Sequence, residues 1–117
     1  MDLKQALAAH VEWKIKFRTA LANKESLDAA TIARDDCCAL GKWLHGESRA
    51  KFGKLPSHVL CVARHAEFHT AAAGLARLIN GGNYAEAEAM LAPNTPYSRA
   101  SAAVASAIMQ LTHDVGQ

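Results

Sequence analysis

The sequence predicts an all-α fold: a helical bundle of four main helices with short connecting helices. Three observations point there. Alanine is abundant and β-branched residues are few, which favours helix throughout. Apolar residues recur at threes and fours along the longer segments. Glycine and proline gather between those segments rather than inside them. With 117 residues the chain suits a single domain, 1–117, large enough to bury a core without disulfides.

The first helix is expected from near Asp2 to about Asn23. Its inward stripe is Leu3, Leu7, His10, Phe17 and Leu21, widened by Ala6 and Trp13. Lys24 to Asp28 is a polar link, and Ser26 or Asp28 caps a shorter helical region over Ala29–Arg34. Cys38, Leu40, Trp43 and Leu44 form an apolar turn or short helix ending near Gly46. The stretch from Gly46 to Pro56, with Gly53 between, reads as a loop. Pro56 suits the first turn of a long helix, with Ser57 helping its cap, and Gly81 and Gly82 stop that helix after about Asn80. Its two neighbouring stripes are Val62, His65, His69, Ala72, Ala76 and Ile79, and Cys61, Phe68, Leu75 and Leu78. Tyr84 to Leu91 is a short helix broken by Pro93, Asn94 and Pro96. A last helix runs from about Tyr97 to His113, with Ala100, Ala103, Val104, Ala107, Ile108 and Leu111 inward. No internal repeat is visible.

The net charge is +2 with histidines neutral, and basic and acidic residues are interleaved. That argues against nucleic acid as the main partner, because such proteins carry a basic stripe. No stretch approaches the roughly 18 apolar residues that cross a bilayer. The charged, amphipathic N-terminal segment has no signal-peptide core. A cytoplasmic location without membrane contact is therefore expected. Three cysteines, Cys37, Cys38 and Cys61, do not make a disulfide framework.

The six histidines matter by position. His10 lies on the apolar stripe of the first helix. His65 and His69, four residues apart, lie one turn apart on the apolar stripe of the long helix. Three buried imidazoles are costly unless their nitrogens find partners, and a shared metal ion satisfies one nitrogen of each. Ordinary backbone partners are the bland alternative. His65-Ala66-Glu67-Phe68-His69 is not the zinc-protease motif, whose glutamate follows the first histidine directly; Glu67 is rotated about 100° further round the helix. A cysteine suits the fourth position of tetrahedral zinc. Spacing alone leaves Cys37 and Cys38 equivalent, and Cys61 reads as a small buried hydrophobe. With four protein ligands no position stays open for water, so an enzyme is not expected. A di-iron bundle needs inward carboxylates in Glu-x-x-His pairs, which Glu12 and Glu67 do not supply.

Three blocks together resemble the chemoreceptor zinc-binding domain family: His10-Val11-Glu12-Trp13, then Cys38-Ala39-Leu40-Gly41-Lys42-Trp43, then His65 to His69. The resemblance spans about residues 7 to 112. It implies one Zn2+ per chain on His10, Cys38, His65 and His69, and it selects Cys38, since only that thiol places Leu40, Gly41 and Trp43 in the pattern. Gly41, one turn from Cys38, would then let a histidine-bearing helix approach closely. Trp13 and Trp43 read as packing around the site, and Asp36 as a solvated acid or as a hydrogen-bond partner of a ligand histidine. The family occurs in bacterial cytoplasmic chemoreceptors and diguanylate cyclases and tends to be dimeric. The resemblance thus implies a regulatory sensor in a homodimer, coupled to a receptor or effector signalling domain, responding to zinc or to oxidants such as hypochlorous acid through Cys38. The alternative is a purely structural zinc site in a helical interaction module.

Overall fold

A computed structural model describes all residues, 1–117, as seven helices and no strand. They are α1 Leu3–Asn23, α2 Ala29–Ile32, α3 Ala39–His45, α4 Glu47–Phe52, α5 Pro56–Asn80, α6 Tyr84–Met90 and α7 Pro96–Asp114. Three are long, α1, α5 and α7, and short helices supply the remaining cover.

Local chemistry explains most boundaries. Asp2 caps α1 by accepting from the Lys4 and Gln5 amides, and Lys24 ends it in the left-handed region at φ 53°. Asp28, of the two candidates, caps α2 through the Thr31 amide. Pro56 opens α5, but Leu55 is the cap residue and Ser57 makes no cap bond. Thr95 and Ser98 form a reciprocal capping box at α7, so this helix starts at Pro96. The expected loop between Gly46 and Pro56 contains α4. Its sequence, Glu-Ser-Arg-Ala-Lys-Phe, is made mostly of helix formers, and the two flanking glycines bound a helix rather than forbid one.

α5 is the central helix and packs against α1, α2, α3, α6 and α7. Both of its stripes therefore face protein: Cys61, His65, Phe68, His69, Ala72, Leu75, Ala76 and Ile79 are all buried. Phe17, Phe68 and Tyr97 bring α1, α5 and α7 together, with Phe17–Tyr97 ring centroids 5.6 Å apart and Phe68–Tyr97 5.9 Å. Val104, Ala107, Ile108 and Leu111 are the buried face of α7, while Ala100 and Ala103 are half-buried. The Asn80 side chain clamps the link before α2: it accepts from the Leu27 amide and donates to the Leu27 carbonyl, both at 2.7 Å. That clamp ties α2 to the end of α5. No helix is long and apolar enough to cross a membrane.

Candidate metal centre

The site lies where α1, the α2–α3 segment and α5 meet. α1 supplies His10, α5 supplies His65 and His69, and Cys38 stands at the N-cap of α3. One donor atom from each of these four residues lies within 4.8 Å of the others. The Cys38 Sγ is 3.2 Å from His65 Nε2 and 3.7 Å from His69 Nε2. The two Nε2 atoms are 3.0 Å apart. The His10 ring stands edge-on to that of His65, with centroids 5.0 Å apart.

Hydrogen bonds set the tautomers. His10 Nδ1 donates to the Ala6 carbonyl and His69 Nδ1 to the Ile32 carbonyl, each at 2.8 Å. A carbonyl only accepts, so both Nδ1 atoms carry the proton and both Nε2 atoms present lone pairs to the site. Ile32 ends α2, and the last carbonyls of a helix lack intrahelical partners, which leaves one free for His69. The His10 Nε2 and His65 Nδ1 are buried without a protein partner.

Burial keeps the His10 and His65 imidazoles neutral. It is the main cause lowering His10 and His65, the latter to about 3, with the neighbouring imidazoles adding repulsion between like charges. Burial also raises the Cys38 thiol, against the backbone amide of Gly41, which donates to its sulfur at 3.3 Å. Neutral imidazoles are the ligating form, and a divalent cation reverses the cost of the thiolate.

The spacing of Cys38, His65 and His69 suits zinc. Tetrahedral zinc, with Zn–N about 2.05 Å and Zn–S about 2.3 Å, separates nitrogens by about 3.3 Å and nitrogen from sulfur by about 3.6 Å. The observed separations of 3.0, 3.2 and 3.7 Å lie close to those edges. A cation shared among the donors gives the orphaned His10 Nε2 a partner. Glu67 is exposed and pairs with Arg64 at 2.8 Å, away from the site.

Of the two readings of Asp36 the solvated acid agrees with the structure, and the expectation for Gly41 needs correction. Asp36 bonds no histidine. It is exposed and pairs with Arg34, Nε to Oδ1 at 3.2 Å, while the Nδ1–H groups of His10 and His69 use backbone carbonyls instead. Gly41 does not admit a histidine-bearing helix. A Cβ there would lie 1.7 Å from the Asp35 carbonyl oxygen and 3.2 Å from the Asp36 Cα. The missing side chain lets the chain's own α2–α3 segment fold onto α3, which seats Cys38 at the site. His45 braces the same segment through Asp35, Nε2 to Oδ2 at 3.0 Å.

Trp13 and Trp43 are half-buried and pack against the core. Trp13 lies 5.5 Å from Phe17, and Trp43 lies 6.4 Å from Phe52 on α4. Cys37 is directed at Asp36 rather than at the histidines, with Sγ 3.7 Å from Oδ1. Cys61 is fully buried in the apolar core. The sequence reading missed the supports: the carbonyls of Ala6 and Ile32, and Phe68, whose ring stands edge-on to His10 at 5.4 Å. Ala6 carried a signal, being one turn before His10. The Ile32 carbonyl had none, because the pairing spans 37 residues.

No curated protein and no solved structure matches the chain. Residues 10–76 match the family described as chemoreceptor zinc-binding domain. That stretch starts at His10, includes Cys38, His65 and His69, and covers more than half of the sequence. The chain belongs to the chemoreceptor zinc-binding domain family.

Proposed function

We propose that this chain is a regulatory zinc-sensor module. One Zn2+ per chain is held by His10 Nε2, Cys38 Sγ, His65 Nε2 and His69 Nε2, and the signal is zinc itself or an oxidant such as hypochlorous acid acting on Cys38. The convergence of four donor atoms within 4.8 Å carries the reading. The composition of the site supports the sensing role. Three ligands are packed on long helices, whereas Cys38 stands on a segment outside them, so one ligand can leave while the others stay. Oxidation of a thiolate to a sulfenic acid weakens its bond to zinc, and release of Cys38 would be a local order–disorder switch. Four protein ligands leave no open position for substrate, so no catalytic role is proposed.

The module acts in the bacterial cytoplasm as a homodimer, coupled to a receptor or effector signalling domain. Family membership and the alanine-rich α7, which exposes Met109, support association. Light scattering at tens of micromolar checks it, and a monomer there counts against it.

Metal analysis of protein purified without added zinc is expected to give one zinc per chain. His10→Ala, Cys38→Ala, His65→Ala and His69→Ala should each sharply reduce retention, whereas Cys37→Ala, Cys61→Ala, His45→Ala, His58→Ala and His113→Ala should not. Full occupancy in Cys38→Ala with loss in Cys37→Ala would assign the wrong thiol. Substoichiometric hypochlorous acid should oxidise Cys38 before Cys61 and lower hydrogen-exchange protection around Cys38 only. Oxidation without local loosening would leave a purely structural zinc site.

A further inference from the structure

We propose that Cys37 is the resolving thiol of Cys38: after Cys38 is oxidised, its sulfenic acid condenses with Cys37 to a disulfide between the adjacent residues, which holds Cys38 out of the metal site until a reductant returns it. The inference rests on the oxidant-responsive reading of Cys38 given above.

Placement of the three thiols motivates it. Cys61 is inaccessible inside the core, with no exposed surface. Cys37 and Cys38 are both half-buried and adjacent. Cys37 is not one of the four donors, and it is not part of the apolar core or the side chains packed on it. Its one hydrogen-bond partner is the Asp36 carboxylate, at 3.7 Å. The metal site and the packing therefore leave this thiol unused.

The backbone there can adapt. Residues 37 and 38 are bends between α2 and α3, and no backbone hydrogen bond holds the amide of either cysteine. The two sulfurs face apart: Cys38 Sγ toward His65 and His69, Cys37 Sγ toward Asp36. A bridge requires Cys38 to swing away from the histidines. Bridge and complete metal site thus exclude each other, which is what a latch requires.

The chemistry balances. The Cys38 thiolate and hypochlorous acid give the sulfenic acid and chloride, sulfur losing the two electrons that chlorine gains. The Cys37 sulfur then attacks the Cys38 sulfur, the S–O bond breaks, and the Cys37 proton leaves with the hydroxyl group as water. Adjacent residues have Cα atoms about 3.8 Å apart, shorter than the roughly 4.4–6.8 Å of ordinary disulfides. Such a bridge is strained and readily reduced, as reversible regulatory disulfides are. Without a neighbouring thiol the sulfenic acid persists, and a second equivalent of hypochlorous acid oxidises it to sulfinic acid with release of chloride, a state that thiols do not return.

The test uses the full zinc-loaded chain and substoichiometric hypochlorous acid, with peptide mass spectrometry without reduction. Both cysteines lie between Arg34 and Lys42, so trypsin leaves them on one peptide. In the wild type, and in Cys61→Ser, this peptide should lose two hydrogens and take up little dimedone. In Cys37→Ser and Cys37→Ala the dimedone adduct on Cys38 should rise several-fold. With excess hypochlorous acid in a second arm, dithiothreitol should restore zinc retention in the wild type but much less in the Cys37 variants, whose sulfenic acid is open to further oxidation. Circular dichroism and zinc content before oxidation, expected unchanged, separate this from misfolding. Equal dimedone trapping with and without Cys37, or a bridge from Cys38 to Cys61 or to another chain, overturns the proposal and leaves the oxidant reading intact. An unoxidised Cys38 overturns both.

Discussion

Replacing Gly41 by alanine should detach Cys38 from zinc while leaving the helices in place. The added Cβ would lie 1.7 Å from the Asp35 carbonyl oxygen, 2.7 Å from its carbon and 3.2 Å from the Asp36 Cα. All three are backbone atoms, so no side chain can rotate away. Ordinary contact distances are on the order of 3.5 Å, so the Asp35–Asp36 backbone must retreat by roughly 1.5–2 Å. Cys38 is two residues further on, and metal–ligand distances tolerate only about 0.2 Å. Overpacking itself costs about 1–3 kcal/mol. Losing the thiolate should weaken zinc binding by at least about 100-fold, equivalent to about 2.7 kcal/mol. Competition with a chromophoric zinc chelator measures the affinity, and far-UV circular dichroism reports the helices. Combining Gly41→Ala with Cys38→Ala isolates the cause, since in the absence of the thiol the glycine substitution should cost zinc affinity almost nothing. Zinc binding within about threefold of the wild type in Gly41→Ala would refute the reasoning. An equal loss with and without Cys38 would refute it too, by showing that Gly41 acts on some other ligand.

Other perturbations test the surroundings. The Ser48 hydroxyl donates to the Trp43 carbonyl at 2.7 Å and so can only accept from His58 Nε2, at 2.9 Å; Ser48→Ala strands both and should cost about 1–3 kcal/mol in denaturant unfolding without releasing zinc. The same burial, helped by Arg49 and His45, lowers the pKa of His58. Its ring proton resonances should titrate below the ordinary value of about 6.5, and its share of stability should be present above that value and fall as the pH drops toward the folded pKa. A midpoint at or above the ordinary value contradicts that burial. The Tyr97 hydroxyl is buried without a protein partner, and burial pushes its pKa up to about 12; Tyr97→Phe should leave the melting temperature unchanged or higher, and a loss above about 1 kcal/mol would reveal a partner. Cys61, raised to about 11 by burial, should resist alkylation at neutral pH until the domain unfolds, which timed labelling with iodoacetamide reads.

The sequence by itself determined every helix but α4, and the faces that the long helices bury. Asp28, Pro56 and Gly81 mark boundaries through local backbone chemistry, which acts over a turn or less and needs no tertiary partner. Helical periodicity alone put His65 and His69 on one face and His10 on the buried stripe of α1. Local signals were outweighed only at α4, where flanking glycines masked a run made mostly of helix formers. Only the tertiary structure decided what the side chains meet. Adjacent thiols are equivalent in residue physics. The family pattern favoured Cys38, and the packed chain puts its sulfur 3.2 Å from His65 while Cys37 turns to Asp36. The neighbour that forbids a side chain at Gly41 is the backbone of Asp35 and Asp36, folded back from the preceding turn. The acceptor for His69 is a carbonyl 37 residues away. Backbone carbonyls are the same at every residue type, so the sequence carries no mark of which one a histidine will find; their direction is set only when α2, held by Asn80 against the end of α5, docks beside the site.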